Sequence, residues 1–215
     1  MKPQKHRQDM NNLVVNDLFY SLQGEGYHAG EAAVFIRLAG CNLHCPYCDT
    51  DYISGIEMSM EQINSMLPVK CKWIVWTGGE PTQQLTEEHI RYFQLTKYYQ
   101  AIETNGSLPV PAGLDYISCS PKVDLSQVKK NFSKYPYIGE SRCLIGIDDD
   151  GVSHFPPDID LLPKSTHYYV SPMFIGEEHK KYELDKSNLQ KAIEWVKFDP
   201  RWKLSIQQHK IWNIP

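Results

Sequence analysis

The 215-residue sequence has no apolar run long enough to span a bilayer, and Met1 to Asn12 are polar and charged where a secretory signal needs an apolar stretch. The expected address is the cytoplasm, with no membrane partner. There is no Gly/Ser linker and no internal repeat, so the chain reads as a single domain over 13–215 behind a flexible tail over 1–12. Basic residues do not dominate. The 22 Lys and Arg stand against 26 Asp and Glu, a formal charge of −4, which leaves no broad positive field for a phosphate backbone and argues against a nucleic-acid partner. Hydrophobic residues make up 41% and charged residues 22%, which places the chain among folded globular proteins rather than disordered ones.

Cysteine is scarce except in one place. Of six, Cys41, Cys45 and Cys48 fall within eight residues, while Cys71, Cys119 and Cys143 stand apart and read as small buried hydrophobes. In an intracellular chain such a cluster asks for a metal rather than a disulfide framework.

Short apolar runs rich in β-branched and aromatic residues occur at 33–38, 73–76, 100–103, 116–119, 143–147, 168–170 and 204–206, and read as strands. Ser59-Met60-Glu61-Gln62 is a capping box opening a helix to about Leu67, and Ser187-Asn188-Leu189-Gln190 reads as another. Further helices are expected at about 86–98 and 126–135. Strand and helix thus alternate as a parallel sheet requires, except that 106–113 and 148–165 are proline-rich and lack a helical period. The expected fold is α/β: a partial, open parallel β/α barrel of about six or seven strands with a reduced helix complement. In such folds loops at the C-terminal strand ends build the active site, and the unusual sequences here follow strands.

The first of them, Cys41-Asn42-Leu43-His44-Cys45-Pro46-Tyr47-Cys48, puts three thiolates on one loop. Iron–sulfur clusters usually take four, so three leave one iron open for chemistry. Zinc held by the three cysteines and His44, making the chain a zinc-stapled binding module, is the competing reading. The spacing C-x3-C-x2-C with an aromatic before the last cysteine resembles the signature of radical S-adenosylmethionine (SAM) enzymes. Thr77-Gly78-Gly79-Glu80-Pro81, after the next strand, resembles that family's Gly-Gly-Glu motif, in which backbone and carboxylate receive the SAM amino group. The resemblance implies a [4Fe–4S] cluster that reduces SAM to methionine and a hydrogen-abstracting 5′-deoxyadenosyl radical.

Ser21-Leu22-Gln23-Gly24-Glu25-Gly26, Phe35-Ile36-Arg37-Leu38, Cys48-Asp49-Thr50, Ser120-Pro121-Lys122 and the ending Gln208-His209-Lys210 with Asn213-Ile214-Pro215 resemble one branch, the 7-carboxy-7-deazaguanine synthases. That resemblance implies ring contraction of 6-carboxy-5,6,7,8-tetrahydropterin on the route to queuosine. It implies Mg²⁺ on the Thr50 hydroxyl, and substrate contacts at Leu22, Gln23, Gly24, Glu25, Arg37, Thr77, His209 and the Pro215 carboxylate. SAM contacts are implied at Tyr47, Asp49, Gly79, Glu80, Ser120, Pro121, Lys122, Ser171, Pro172, Met173 and Phe174. Lys210 is placed beside His209 as a binding, proton-relaying or capping group, and Glu103 and Asn105 are expected at a ribose or in a capped turn. A flavodoxin or ferredoxin electron donor and a homodimer are family expectations. A glycyl-radical activating enzyme shares the cysteine spacing, but lacks the Gln-Gly-Glu-Gly segment and the Asp-Thr pair.

Overall fold

The computed structural model describes residues 12–48, 50–175 and 183–215. Its elements in chain order are β1 (Asn12–Leu22), β2 (Ala32–Leu38), β3 (Ile56–Ser59), α1 (Met60–Met66), β4 (Trp73–Gly78), α2 (Glu87–Leu95), β5 (Tyr99–Thr104), β6 (Tyr116–Cys119), α3 (Leu125–Asn131), β7 (Ile138–Ile147), β8 (Ser153–His154), β9 (Ser165–Pro172), β10 (Phe174–Ile175), β11 (Glu183–Leu184), α4 (Lys186–Phe198), β12 (Lys203–Leu204) and α5 (Gln208–Trp212). One sheet runs β12-β9-β7-β6-β5-β4-β2-β1-β3. From β2 to β12 its neighbours are parallel; β1 runs antiparallel to β2, and β3 antiparallel to β1. The seven parallel strands form the expected open barrel, and β1 and β3 extend one edge. Asn12, assigned to the tail by sequence, pairs with Ser59 as the first residue of β1. The rest of the expected tail lies outside the described residues.

Local chemistry accounts for the helix starts. Ser59 closes the capping box on α1: its hydroxyl accepts from the Gln62 N–H and the Gln62 side chain accepts from the Ser59 N–H. The start of α4 corrects the expectation at Ser187. Asp185 is the cap, accepting from the Asn188 N–H at 2.7 Å, so Ser187 already lies inside the helix. Asn188 is buried and ties α4 to β7 and to the loop after β9, through the Ile147 N–H and C=O and the Met173 carbonyl.

Side chains alternate across a strand, and here the two faces have different jobs. Val34, Ile36, Leu38, Ile74, Trp76, Ile102, Ile117 and Cys119 face the helices in one apolar core with Ile63, Ile90, Phe93 and Val128. Cys143, Ile145 and Val170 do the same against Ala192 and Trp202. The intervening positions turn to the concave face. Low on that face Ala33, Phe35, Val75 and Ala101 form an apolar floor, and around and above it stand Arg37, Thr77, Glu103, Ser118, Glu140, Arg142 and Ser171. Burial on the helix face stabilises the sheet, so the concave face is left to carry polar side chains.

Candidate active site

Two cavities open on the concave face. The smaller, about 280 Å³, gathers Leu22, Gln23, Gly24 and Glu25 from the end of β1 and its turn, Arg37 and Thr77 from β2 and β4, Thr50 from the cysteine loop, and His209, Lys210 and Pro215 from the chain end. Every substrate contact named from sequence therefore faces one space. Phe19 and Phe35, not singled out from sequence, line it as a stacked pair, ring centroids 5.1 Å apart and 8° from coplanar. Arg37 lies over the Phe19 ring and donates from Nη1 to Thr50 Oγ1 at 3.0 Å. The chain end is docked: the Gln208 N–H donates to Gly24 O at 2.9 Å and the Ser21 hydroxyl to the Pro215 oxygen at 2.9 Å. A β-carbon on Gly24 would come within 2.2 Å of the His209 ring, so that glycine sets how closely α5 approaches.

The larger cavity, about 640 Å³, is of ligand-binding size. Cys41, Cys45 and Cys48 line it, with Tyr47, Gly79, Ser120, Lys122, Ser171, Met173 and Phe174 from the set expected at SAM. Three described residues of that set do not line it. Pro121 lines a side pocket with Tyr47 and Lys122, and Pro172 is buried within β9 and does not line the larger cavity. Glu80 is wholly buried, its carboxylate accepting from Thr82 N and Oγ1, Thr104 Oγ1 and Asn105 N. Those four bonds fix the turn. The glycines before it serve the same closeness: a β-carbon on Gly79 would lie 2.0 Å from Gly40 O, hard against the cysteine loop. Asp49 lies outside the described residues.

The sequence reading missed Arg142. It is buried, and its fork pairs Nη1 with Glu25 at 3.1 Å and Nη2 with Glu103 at 3.1 Å, with Glu140 at 3.7 Å. Burial works against its charge, but Glu25, Glu103 and Glu140 outweigh that and hold its proton more firmly than usual. Gln207 donates to Glu25 at 2.8 Å and Gln23 to Glu103 at 3.0 Å. Glu25, Glu103, Gln207 and Lys210 line both cavities, so this network is their shared wall.

No protein-family model matches the chain. Curated proteins do. It is 35% identical over 216 residues to the 7-carboxy-7-deazaguanine synthase of Haemophilus influenzae, covering 100% of both chains. With the 7-carboxy-7-deazaguanine synthase of Bacteroides thetaiotaomicron it shares 33% over 203 residues, 93% of this chain and 97% of that one. The chain belongs to the 7-carboxy-7-deazaguanine synthase family. The crystal structure of QueE from Escherichia coli has the same fold, with a TM-score of 0.66 over 91% of this chain and 93% of that one, at 21% identity.

Members of this synthase family are radical SAM lyases, which sets aside the zinc module and the activating enzyme. The residues fit the cofactors this implies. Cys41, Cys45 and Cys48 are free thiols on one turn, closed by the Cys48 N–H on Cys45 O at 3.1 Å. The Leu43 N–H donates to Cys41 Sγ at 3.5 Å, the kind of bond that tunes cluster sulfurs. Among the described residues no three His, Cys, Asp or Glu side chains converge on a single metal ion, whereas a four-iron cluster takes its three thiolates on three separate irons. Across the larger cavity the Ser171 hydroxyl is buried without a hydrogen-bond partner, an open place for a ligand's polar atom. Cys143, also on that wall, is no rival ligand: burial pushes its thiol up to about 12, against the pull of Lys122.

Proposed function

We propose that this chain converts 6-carboxy-5,6,7,8-tetrahydropterin to 7-carboxy-7-deazaguanine and ammonia in queuosine biosynthesis, using a [4Fe–4S] cluster, SAM and Mg²⁺. The observation that carries the proposal is the convergence of Gln23–Glu25, Arg37, Thr50, Thr77 and His209–Pro215 on one cavity beside the cysteine loop. Bound together, cluster and SAM supply a radical that abstracts hydrogen at C6. The ring then contracts with loss of one nitrogen as ammonia, a redox-neutral change that lets SAM be regenerated.

The chain's own residues bind, orient and exclude water. The stacked Phe19 and Phe35 give a flat apolar wall against a planar pyrimidine. Glu25 Oε1 accepts from Gln207 and Oε2 faces the Arg142 guanidinium at 3.1 Å; a carboxylate so placed can also accept from the adjacent N–H groups of the amino-pyrimidine edge. The Leu22–Gly24 backbone offers further acceptors, and Thr77, His209 and Pro215 complete the substrate shell. Arg37 receives the substrate carboxylate through its planar fork. The Thr50 hydroxyl, which accepts from Arg37, would hold Mg²⁺, a hard ion that takes oxygen ligands. Tyr47, Asp49, Gly79, Ser120, Lys122, Ser171, Met173 and Phe174 surround SAM. A small flavodoxin or ferredoxin delivers the electron, and the enzyme works as a cytoplasmic homodimer.

Anaerobic reconstituted protein, given SAM, a reductant, Mg²⁺ and the carboxytetrahydropterin, is expected to yield deazaguanine carboxylate by mass spectrometry. Cleavage of SAM without that product would reject the assignment of substrate.

A further inference from the structure

Glu25 and Glu103 come from different parts of the chain, one from the turn after β1 and one from the end of β5. Both line both cavities. They meet at a single cation, the Arg142 fork on β7, and each takes one neutral amide donor besides. Glu103 uses one oxygen, Oε1, for both Gln23 and Arg142; among the described residues its Oε2 accepts nothing. The wall between the cavities therefore presents carboxylate oxygens to both of them.

We infer that Arg142 is a positioning residue of the reaction: it holds Glu25 and Glu103 aimed as acceptors, so that the wall between the cavities receives hydrogen-bond donors such as the N–H groups of the pterin. The argument is electrostatic. Without the guanidinium, Glu25, Glu103 and Glu140 lose the one cation that all three share, and carboxylates brought this close relieve their repulsion by taking up a proton. A protonated carboxyl donates where it should accept, and substrate capture weakens.

Among the described residues the other groups facing this wall are Lys122 after β6, Lys210 and His209 on α5, Arg37 on β2, His28 in the turn after β1, His167 on β9, and the Tyr116 and Tyr169 hydroxyls. They are common to wild type and variant, so a difference between the two pH profiles reports Arg142.

This inference rests on the proposed function, and the test separates the two. Wild-type holoenzyme that makes no deazaguanine product overturns the function. If it does make product, kcat/KM for the carboxytetrahydropterin is followed against pH in wild type, Arg142→Lys and Arg142→Gln. Cluster content and substrate-free SAM cleavage report an intact fold. For Arg142→Gln the expectation is a KM raised about tenfold or more near pH 8, with kcat changed less, and an acid limb moved toward neutrality by about one pH unit. Arg142→Lys, keeping the charge but not the fork, should retain the wild-type acid limb while KM still rises. A profile for Arg142→Gln that overlays wild type within about twofold overturns the inference. If Arg142→Gln loses its cluster, Glu103→Gln is compared with Glu103→Gln/Arg142→Gln, where one carboxylate fewer should shrink the shift; an unshrunken or absent shift overturns it as well.

Discussion

The motif residues divide between ligand contact and scaffolding in a way their types alone do not reveal. Glu80 has the charge to meet an ammonium, yet its four accepted bonds and full burial make it the anchor of the turn that presents Gly79. Glu80→Ala would leave the Thr104 hydroxyl and the Asn105 N–H unpaired in a dry site. That should lower stability by about 2–4 kcal/mol in anaerobic denaturation, and reduce iron bound per chain, because the turn packs on Gly40 and Cys41. A loss below about 0.5 kcal/mol with full iron content would mean the anchoring bonds are dispensable. Three thiols in eight residues were legible as a cluster site because metal ligation needs that local density. Arg142 was illegible for the opposite reason: its partners Glu25, Glu103 and Glu140 are assembled only by the fold.

Among the elements, strands with an unbroken apolar run were readable, and those carrying site residues were cut short. The expected strand at 143–147 begins in fact at Ile138, because Glu140 and Arg142, facing the cavity side, interrupt the hydrophobic pattern. β1 escaped altogether: NLVVNDLFYSL mixes polar and apolar residues, as an antiparallel strand half-open to water allows. The connections without helical period, 106–113 and 148–165, do lack an α-helix; the second holds β8 and a short 3₁₀ turn at Ile159–Leu161. At the chain end α5 is only five residues long and is held from outside, by the Gln208 N–H on Gly24 O. Gly24→Ala should therefore push His209 and α5 outward. The expected result is a KM for the pterin raised about tenfold, with cluster content and substrate-free SAM cleavage unchanged. Equal losses in SAM cleavage would instead place α5 in the cofactor site.

At the scale of the whole molecule, period-two alternation separates the work of the sheet. One face buries apolar side chains against helices, and the other presents charge and hydroxyls over a small apolar floor. The two cavities on that face meet at Glu25 and Glu103, so under the proposed function a hydrogen-abstracting centre in the larger would lie beside a substrate in the smaller. Substrate identity was legible only through resemblance, since no spacing rule joins Gln23–Glu25 to a chain end nearly 190 residues away. The direct test of this joined-cavity account is transfer of the substrate's C6 hydrogen. With carboxytetrahydropterin deuterated at C6, the reconstituted enzyme is predicted to place deuterium in the 5′-deoxyadenosyl group while deazaguanine product forms. Product formation with no deuterium in that group, or labelled 5′-deoxyadenosine with no deazaguanine, would contradict it.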